Sequence, residues 1–325
     1  MSTRDELLAL LEADKGTYFS GEELARTLQV SRAAVWKAVK TLRDQGYAID
    51  AVTNKGYRLS PETDILSAQG VRNYLKPEYR GLELAVLPAV SSTNALVREK
   101  ANQGSPEGCV VIAGEQTAGR GRCGRSFYSP GDTGVYLSLL LRPTAYSPRQ
   151  AVCLTAAAAV AMCQAIEAVS GQAPGIKWVN DLFLRGRKVC GILTEAAFDL
   201  ETGGLEYAVL GAGVNLYPPV GGFPEELRTI AGAVLEQPVA DGKNRLAGEF
   251  LNRFLDFYGD LGSRGYLEEY RSRSIAVGRN ITVLSGGQAV NACALGIDDE
   301  CRLLVRYESG ETAALSYGEI GIRLE

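Results

Sequence analysis

In the N-terminal part of the chain, apolar side chains recur three and four positions apart in three short bursts: Leu7, Leu8 and Leu11; Leu24, Ala25 and Leu28; Val35, Val39 and Leu42. That spacing gathers each set on one face of a helix. Thr3-Arg4-Asp5-Glu6 and Ser20-Gly21-Glu22-Glu23 fit the capping box that opens the first two helices, and Ser31 can cap the third after a turn at Gln29-Val30. Past Gly46, residues 47–53 and 57–59 read as strands around the turn Asn54-Lys55-Gly56. The polar, proline-containing stretch Ser60-Pro61-Glu62-Thr63-Asp64 then serves as a linker and marks a domain boundary.

Three short helices followed by a hairpin describe a winged helix-turn-helix. The outer face of its third helix offers Arg32, Lys37, Lys40 and Thr41, with small Ala33 and Ala34 near the start. Small residues at a helix start, flanking cations and a basic wing tip at Lys55 suit entry into a DNA major groove with phosphate contacts at the sides. The DNA-binding candidates are Ser31, Arg32, Ala33, Lys37, Lys40 and Lys55. The plainer alternative is a module that packs on its neighbour and presents solvated lysines.

In the centre the pattern mixes strands with helices without regular alternation, which favours an α+β fold over a doubly wound one. Strands are expected at residues 82–90, 109–116, 134–141 and 205–216. Helices are expected at 95–101, in the alanine-rich stretch 150–169, briefly from 223, and over the amphipathic stretch 245–261. Residues 182–184 and 188–193 form a hairpin around Arg185-Gly186-Arg187. Near the C-terminus, strands at 281–284, 289–297, 302–307 and 312–315, separated by Ser285-Gly286-Gly287, Asp298-Asp299-Glu300 and Glu308-Ser309-Gly310, describe a small β-barrel. Nothing in that barrel looks catalytic.

Composition narrows the chemistry. A chain of 325 residues, 46% hydrophobic, accommodates two or three domains. No run approaches the roughly 20 apolar residues of a membrane helix, and Met1-Ser2-Thr3-Arg4-Asp5-Glu6 lacks a signal peptide's apolar region, so a cytoplasmic protein is expected, with no membrane partner. The seven cysteines show no paired spacing and read as reduced, mostly buried small hydrophobes. The chain contains no histidine, which removes the usual general base and the commonest metal ligand. A net charge of -4 argues against nonspecific nucleic-acid coating but permits a local basic face.

The densest chemistry lies in residues 114–130, where Arg120, Arg122 and Arg125 stand among Gly119, Gly121 and Gly124 after an apolar strand. Those glycines match the dinucleotide fingerprint, but Ser126-Phe127-Tyr128-Ser129-Pro130-Gly131 is too rich in breakers to start the helix it requires. A phosphate-handling loop is favoured over a merely solvated basic one. Ser92, Thr93 and Asn94 can cap the helix they precede or bind a small polar ligand at its N-terminus. Asp181 and Lys188 flank apolar strand positions and could be ordinary strand-end charges. Gly191, and then Gly211-Ala212-Gly213, remove side chains where a ligand or backbone could approach.

Together, the winged helix, Ser92-Thr93-Asn94, Gly114-Glu115-Gln116-Thr117-Ala118-Gly119-Arg120-Gly121-Arg122, Lys177-Trp178-Val179-Asn180-Asp181, Arg187-Lys188 and the terminal strands resemble, in order and spacing, the bifunctional biotin-protein ligase and biotin operon repressor family across essentially the whole chain. The resemblance implies a central mixed sheet with helices like that of class II aminoacyl-tRNA synthetases, followed by an SH3-like barrel. It partitions the chain into a DNA-binding domain at residues 1–62, a ligase domain at 63–272 and the barrel at 273–325.

The implied substrates are biotin and ATP, the latter with Mg2+. The implied partners are a biotin carboxyl carrier protein, operator DNA and a second copy of the chain, since the adenylate would order the arginine loop and favour a homodimer. By resemblance, Ser92, Thr93, Asn94 and Gln116 would bind the ureido end of biotin. Gly119, Arg120, Gly121 and Arg122 would hold its carboxylate and the adenylate phosphate. Lys188 would contact the reacting carboxyl and phosphoryl groups, and Asn180 and Asp181 would orient them, with Asp181 aiding the carrier lysine. Lys177, Arg125 and Asn215 are secondary candidates. The sequence departs from the family at Cys123, usually arginine, at Phe127, usually tryptophan, and at Val179, usually proline. A lipoate-type ligase, or a ligand-sensing repressor without turnover, are the rival readings.

Overall fold

The computed structural model describes residues 2–143, 151–198, 204–285, 288–316 and 321–324. Gln150 and the turn residues Gly286 and Gly287, which entered the expectations above, lie outside them. The chain divides into two compact units, residues 1–80 with 238–248, and residues 81–237 with 249–325.

The first unit begins with helices α1 (Thr3–Ala13), α2 (Gly21–Thr27) and α3 (Arg32–Asp44) and an antiparallel hairpin, β1 (Ile49–Val52) and β2 (Gly56–Leu59). The cap of α1 is Ser2 rather than Thr3: its hydroxyl accepts from the Asp5 amide and the Asp5 carboxylate accepts from the Ser2 amide, so the box sits one residue earlier than expected. Ser20 with Glu23, and Ser31, cap α2 and α3 as expected. Leu7, Leu11, Leu24, Val35, Val39, Leu42 and Leu59 meet in one core. Gly56 closes the wing turn with φ +99°, and a Cβ there would stand 2.0 Å from the Phe19 carbonyl oxygen, so the position takes no side chain.

Helix α4 (Ala68–Tyr74) was not foreseen, because its short span carries no repeated apolar stripe. It helps enclose a charged cluster. Lys15 Nζ lies 2.8 Å from Glu12 Oε2 and 2.7 Å from Asp241 Oδ1. Asp241 accepts from Tyr74 Oη at 2.5 Å and from Asn244 Nδ2 at 2.8 Å. Desolvation pushes the buried Glu12 carboxyl above its ordinary range even though Lys15 opposes it. Removing the shared cation leaves two carboxyl groups uncompensated, so Lys15→Met is expected to cost about 3 kcal/mol in urea unfolding. A loss below about 1 kcal/mol would show that the cluster holds nothing together.

The second unit contains a mixed sheet of seven strands: β3 (Glu83–Leu87), β4 (Cys109–Ala113), β5 (Gly134–Leu141), β6 (Gly175–Lys177), β7 (Asp181–Leu184), β8 (Arg187–Phe198) and β9 (Leu205–Asn215). Their order is β3-β4-β5-β9-β8-β7-β6, with β3 and β4 parallel and the other neighbours antiparallel. Helix α5 (Thr93–Asn102) joins β3 to β4 and packs through Val97 and Ala101 on Val111, Leu140 and Val209.

Helix α6 (Ala151–Ser170) meets the other face, where Thr155 and Thr194 hydroxyls lie 2.7 Å apart. Contrary to the sequence expectation, α6 is long and apolar enough to cross a membrane, but most of it is buried inside the fold. Its alanines allow that close approach to the sheet. Helices α7 (Gly242–Gly259) and α8 (Leu267–Ser272) follow, while the helix expected from residue 223 is only a 3-10 turn at Glu225–Leu227.

The C-terminal strands β10 (Asn280–Ser285), β11 (Gln288–Ile297), β12 (Leu303–Tyr307), β13 (Thr312–Leu315) and β14 (Gly321–Leu324) form a five-stranded antiparallel sheet in the order β13-β12-β11-β10-β14. Strand β14 has too few alternating positions to have been visible in the sequence.

Candidate active site

Register builds the site. Antiparallel partners on neighbouring strands point to the same face. Tyr136 lies opposite Gly213, Gly213 opposite Gly191, Gly191 opposite Asp181, and Asp181 opposite Lys177. One row therefore crosses five strands, with two glycines as its floor and charged groups at one end. The next row runs Ser138, Gly211, Leu193. Both lie on the face that carries α5, just beyond its N-terminus.

Those glycines are spaces already filled from above. A Cβ on Gly211 would stand 2.0 Å from Asn94 Oδ1, one on Gly213 2.7 Å from the Phe127 ring, and one on Gly191 3.1 Å from Phe127 and 3.3 Å from Lys188 Nζ. The result is a cavity of about 250 Å³. It is lined by Ser92, Thr93, Asn94, Gln116, Arg120, Gly121, Arg122, Arg125, Lys177, Asn180, Asp181 and Lys188 among the sequence-predicted residues. Two candidates lie outside the lining. Gly119 sits beneath the loop, where a Cβ would meet the Phe127 carbonyl oxygen at 2.4 Å, and Asn215 donates from Nδ2 to the Gly232 carbonyl at 3.1 Å.

At the α5 end, the Ser92 hydroxyl accepts the Ala95 amide, which bears out its reading as a helix cap, and Ser92 also lines the cavity. Gln116 Oε1 accepts from the Thr93 amide at 2.9 Å and lies 3.1 Å from Thr93 Oγ1, while its Nε2 donates to Ser129 Oγ at 3.1 Å. Asn94 is held from both sides. Its Oδ1 lies 2.6 Å from Ser138 Oγ and its Nδ2 donates to Glu195 Oε2 at 2.7 Å.

Ser138 and Glu195 were missed in the sequence. Their signal was a lone serine in the apolar strand β5 and a lone carboxylate in β8. Burial pushes the Tyr136 phenol up to about 12, so it stays a neutral hydrogen-bonding group beside Thr133.

The arginine loop is a hairpin. The Gly121 amide donates to Arg125 O at 2.7 Å and the Phe127 amide to Gly119 O at 2.9 Å. Its tip turns through Cys123 (φ 54°, ψ 41°) and Gly124 (φ 72°), a left-handed pair in which cysteine costs on the order of 1 kcal/mol. No helix follows it, which agrees with setting the dinucleotide fingerprint aside. Arg122 Nη1 donates to Asn180 Oδ1 at 3.2 Å, joining the loop to the opposite wall.

Lys188 Nζ lies 2.7 Å from Asp181 Oδ1 and 5.8 Å from the centre of the Phe127 ring, with Lys188 and Asp181 about a quarter exposed. Lys177 Nζ stands 5.8 Å over the Phe183 ring. The corner between β6 and β7 is fixed from outside: Trp178 Nε1 donates to Cys301 O at 3.0 Å and Tyr270 Oη to Val179 O at 2.9 Å. Asn180 Nδ2 in turn donates to Ile192 O at 2.8 Å. Cations on the hairpin, a lysine–aspartate pair on the sheet and an amide-lined end suit a ligand with anionic groups at one end and an uncharged polar group at the other.

Sequence relatives and family profiles place the chain among protein ligases of the biotin and lipoate class. The sequence profile of the Biotin/lipoate A/B protein ligase family matches residues 86–215, flanked by matches to an HTH domain at 3–58 and to the Biotin protein ligase C terminal domain at 276–323. The chain is 37% identical over 313 residues to the bifunctional ligase/repressor BirA of Bacillus spizizenii, covering 94% of this chain and 95% of that one. It is 30% identical over 329 residues to the protein of that name from Escherichia coli, covering 98% and 96%. A solved biotin protein ligase from Aquifex aeolicus, in complex with biotin and ATP, superposes with a TM-score of 0.60 at 22% identity over 75% of this chain and 99% of that one, and so shares the fold. The chain belongs to the bifunctional biotin-protein ligase and repressor family.

Proposed function

We propose that the chain joins biotin to ATP, releasing pyrophosphate and forming biotinyl-5'-adenylate, and then transfers the biotinyl group to a lysine amine of a biotin carboxyl carrier protein, releasing AMP. The observation that carries this reading is the single face on which Lys188, Asp181 and the arginine hairpin stand beside the amide- and hydroxyl-lined end at Ser92, Thr93, Asn94 and Gln116. A carboxylate must approach a triphosphate of like charge, and cations aimed at the phosphorus both allow the approach and stabilise the charge that develops.

In this reading Thr93, Asn94 and Gln116, whose orientations are fixed by Ser129, Ser138 and Glu195, hold the ureido ring. Arg120, Gly121 and Arg122 hold the carboxylate and adenylate phosphate, with Arg125 and Lys177 supporting. Lys188 bridges carboxyl and phosphoryl oxygens. Asn180 orients them, and Asp181, released from Lys188, accepts the proton of the incoming amine. ATP enters as its Mg2+ complex, with the metal carried by the phosphates.

The same chain is proposed to repress a biotin operon when adenylate is bound. The adenylate orders the hairpin, favours a homodimer and so presents two winged helices, through Ser31, Arg32, Ala33, Lys37, Lys40 and Lys55, to a palindromic operator. The functional modules are residues 1–62, 63–272 and 273–325, and the location is cytoplasmic. The matched profiles at 3–58, 86–215 and 276–323 fall inside those modules.

The direct test is turnover. Labelled biotin with ATP should yield pyrophosphate and a labelled carrier protein, and labelled lipoate should not. Lipoate transfer at an equal rate would assign the other ligase type, and no pyrophosphate release would leave a sensor without chemistry. Residues 117–128 should gain protease protection when biotin and ATP are both present, because like charges among glycines are costly to order without an anion. Equal cleavage in the two states would remove the ordering step. Operator affinity that does not rise with biotin and ATP would remove the regulatory one.

A further inference from the structure

Helix α3 carries an indole that its own module does not bury. Trp36 is 58% exposed, whereas Trp178, the chain's other tryptophan, is 4% exposed. Val35, Ala38, Val39 and Leu42 form the inner face of α3. Trp36 lies outside, one turn beyond Arg32 and one turn before Lys40, whose Nζ stands 5.9 Å over the indole. With Ala33, Ala51 and Val52 it lines a groove between α3 and the wing, and Val52 is itself 40% exposed.

Exposed Arg32 lines the same groove, Lys40 stands over Trp36, and Lys37 and Lys55 are exposed on α3 and at the wing tip. Lys55 and Arg58 stack on Tyr18 at the wing, and Glu22 is the acidic group that lines the groove. The arrangement calls for a polyanion with an apolar group recessed between its charges. Duplex DNA has that form: phosphates run along both rims of the major groove, and the thymine C5 methyl is the apolar feature on its floor. An acidic peptide would place its charges against the cations but offers nothing of fixed spacing to a strip between them.

We infer that Trp36, which shares its groove with Val52, is a specificity-determining residue that reads thymine methyl groups in the operator. The inference rests on the DNA-binding reading proposed above and adds to it a base and an atom. The phosphate-contacting cations fix where α3 lies, and the indole selects among the sequences that fit there.

The test uses the full chain with biotin and ATP. Duplexes are first enriched from a randomised pool, and each thymine of the enriched site is then replaced by uracil, which lacks only the methyl. Removing the methyl at one or two positions per half-site should weaken binding by wild type about threefold to tenfold. Trp36→Ala should bind the parent duplex at least about threefold more weakly and should no longer distinguish thymine from uracil at those positions. Measurements at low salt keep the variant's binding readable, because phosphate contacts then supply most of the affinity.

Trp36→Ala should retain wild-type biotin transfer, which reports an intact fold. A variant that still discriminates uracil from thymine, or a wild type indifferent to every methyl, overturns the assignment while leaving DNA binding intact. A pool from which no sequence is enriched removes the DNA-binding reading, and the assignment with it.

Discussion

Lys188→Met is expected to slow biotinyl-adenylate formation about 10²- to 10³-fold, measured as biotin-dependent exchange of pyrophosphate into ATP, while biotin affinity changes only a few-fold. The lysine stands on strand β8 beside Gly191, 2.7 Å from Asp181 and over the face of Phe127, so its ammonium is aimed before substrate arrives. The arginines stand on a hairpin outside the strands and cannot replace a charge placed at the sheet. An ammonium that strengthens its contacts only as charge builds on the phosphoryl and carboxyl oxygens lowers the barrier without tightening ground-state binding. A parallel loss in biotin affinity and turnover would instead make Lys188 a binding residue. Unchanged exchange would remove it from the reaction.

Gly211→Ala should raise the KM for biotin about a hundredfold, with thermal stability changed much less than binding. The added methyl would stand 2.0 Å from Asn94 Oδ1, and that amide has nowhere to go: Ser138 holds its oxygen end at 2.6 Å and Glu195 its nitrogen end at 2.7 Å. The same substitution at Gly81, where nothing lies within 4 Å of the added atom, provides the comparison and should leave KM unchanged. A normal KM in Gly211→Ala would mean that Asn94 plays no part in holding the ring.

How much of this was legible in the sequence depends on how far apart the cooperating residues lie. Local devices were readable: caps at Ser20 and Ser31, the wing turn at Gly56, and the glycine–arginine stretch whose breakers ruled out a following helix. Each depends on neighbours a few positions away. The one-residue error at Ser2 came from two hydroxyls in succession, either of which can start a helix.

What stayed hidden was register. Nothing in the sequence says that Gly213 lies opposite both Tyr136 and Gly191, or that Gly211 lies opposite Ser138 and Leu193. The glycines could be recognised as gaps, but what fills them could not. Glu195 is hidden for the same reason: its bond to Asn94 bridges residues far apart in sequence, and a carboxylate in a strand ordinarily signals a solvated edge. Helix α6 shows the opposite failure. Its composition alone would suit a lipid environment, and only the sheet beneath it reveals why it is so apolar.

The split construction of the first unit limits how the protein could shed its N-terminal module. Residues 238–248 belong with residues 1–80, so a start site moved to residue 63 would delete Lys15 while keeping Asp241, whose 2.7 Å partner it is. The Thr63 carbonyl that accepts the Asp241 amide, and the Asp64 carboxylate that accepts the Lys243 amide, would survive only as part of a frayed new terminus. A lineage or a protein engineer wanting a stand-alone ligase must therefore edit the gene in two places, replacing Asp241 just ahead of α7 together with the excised head.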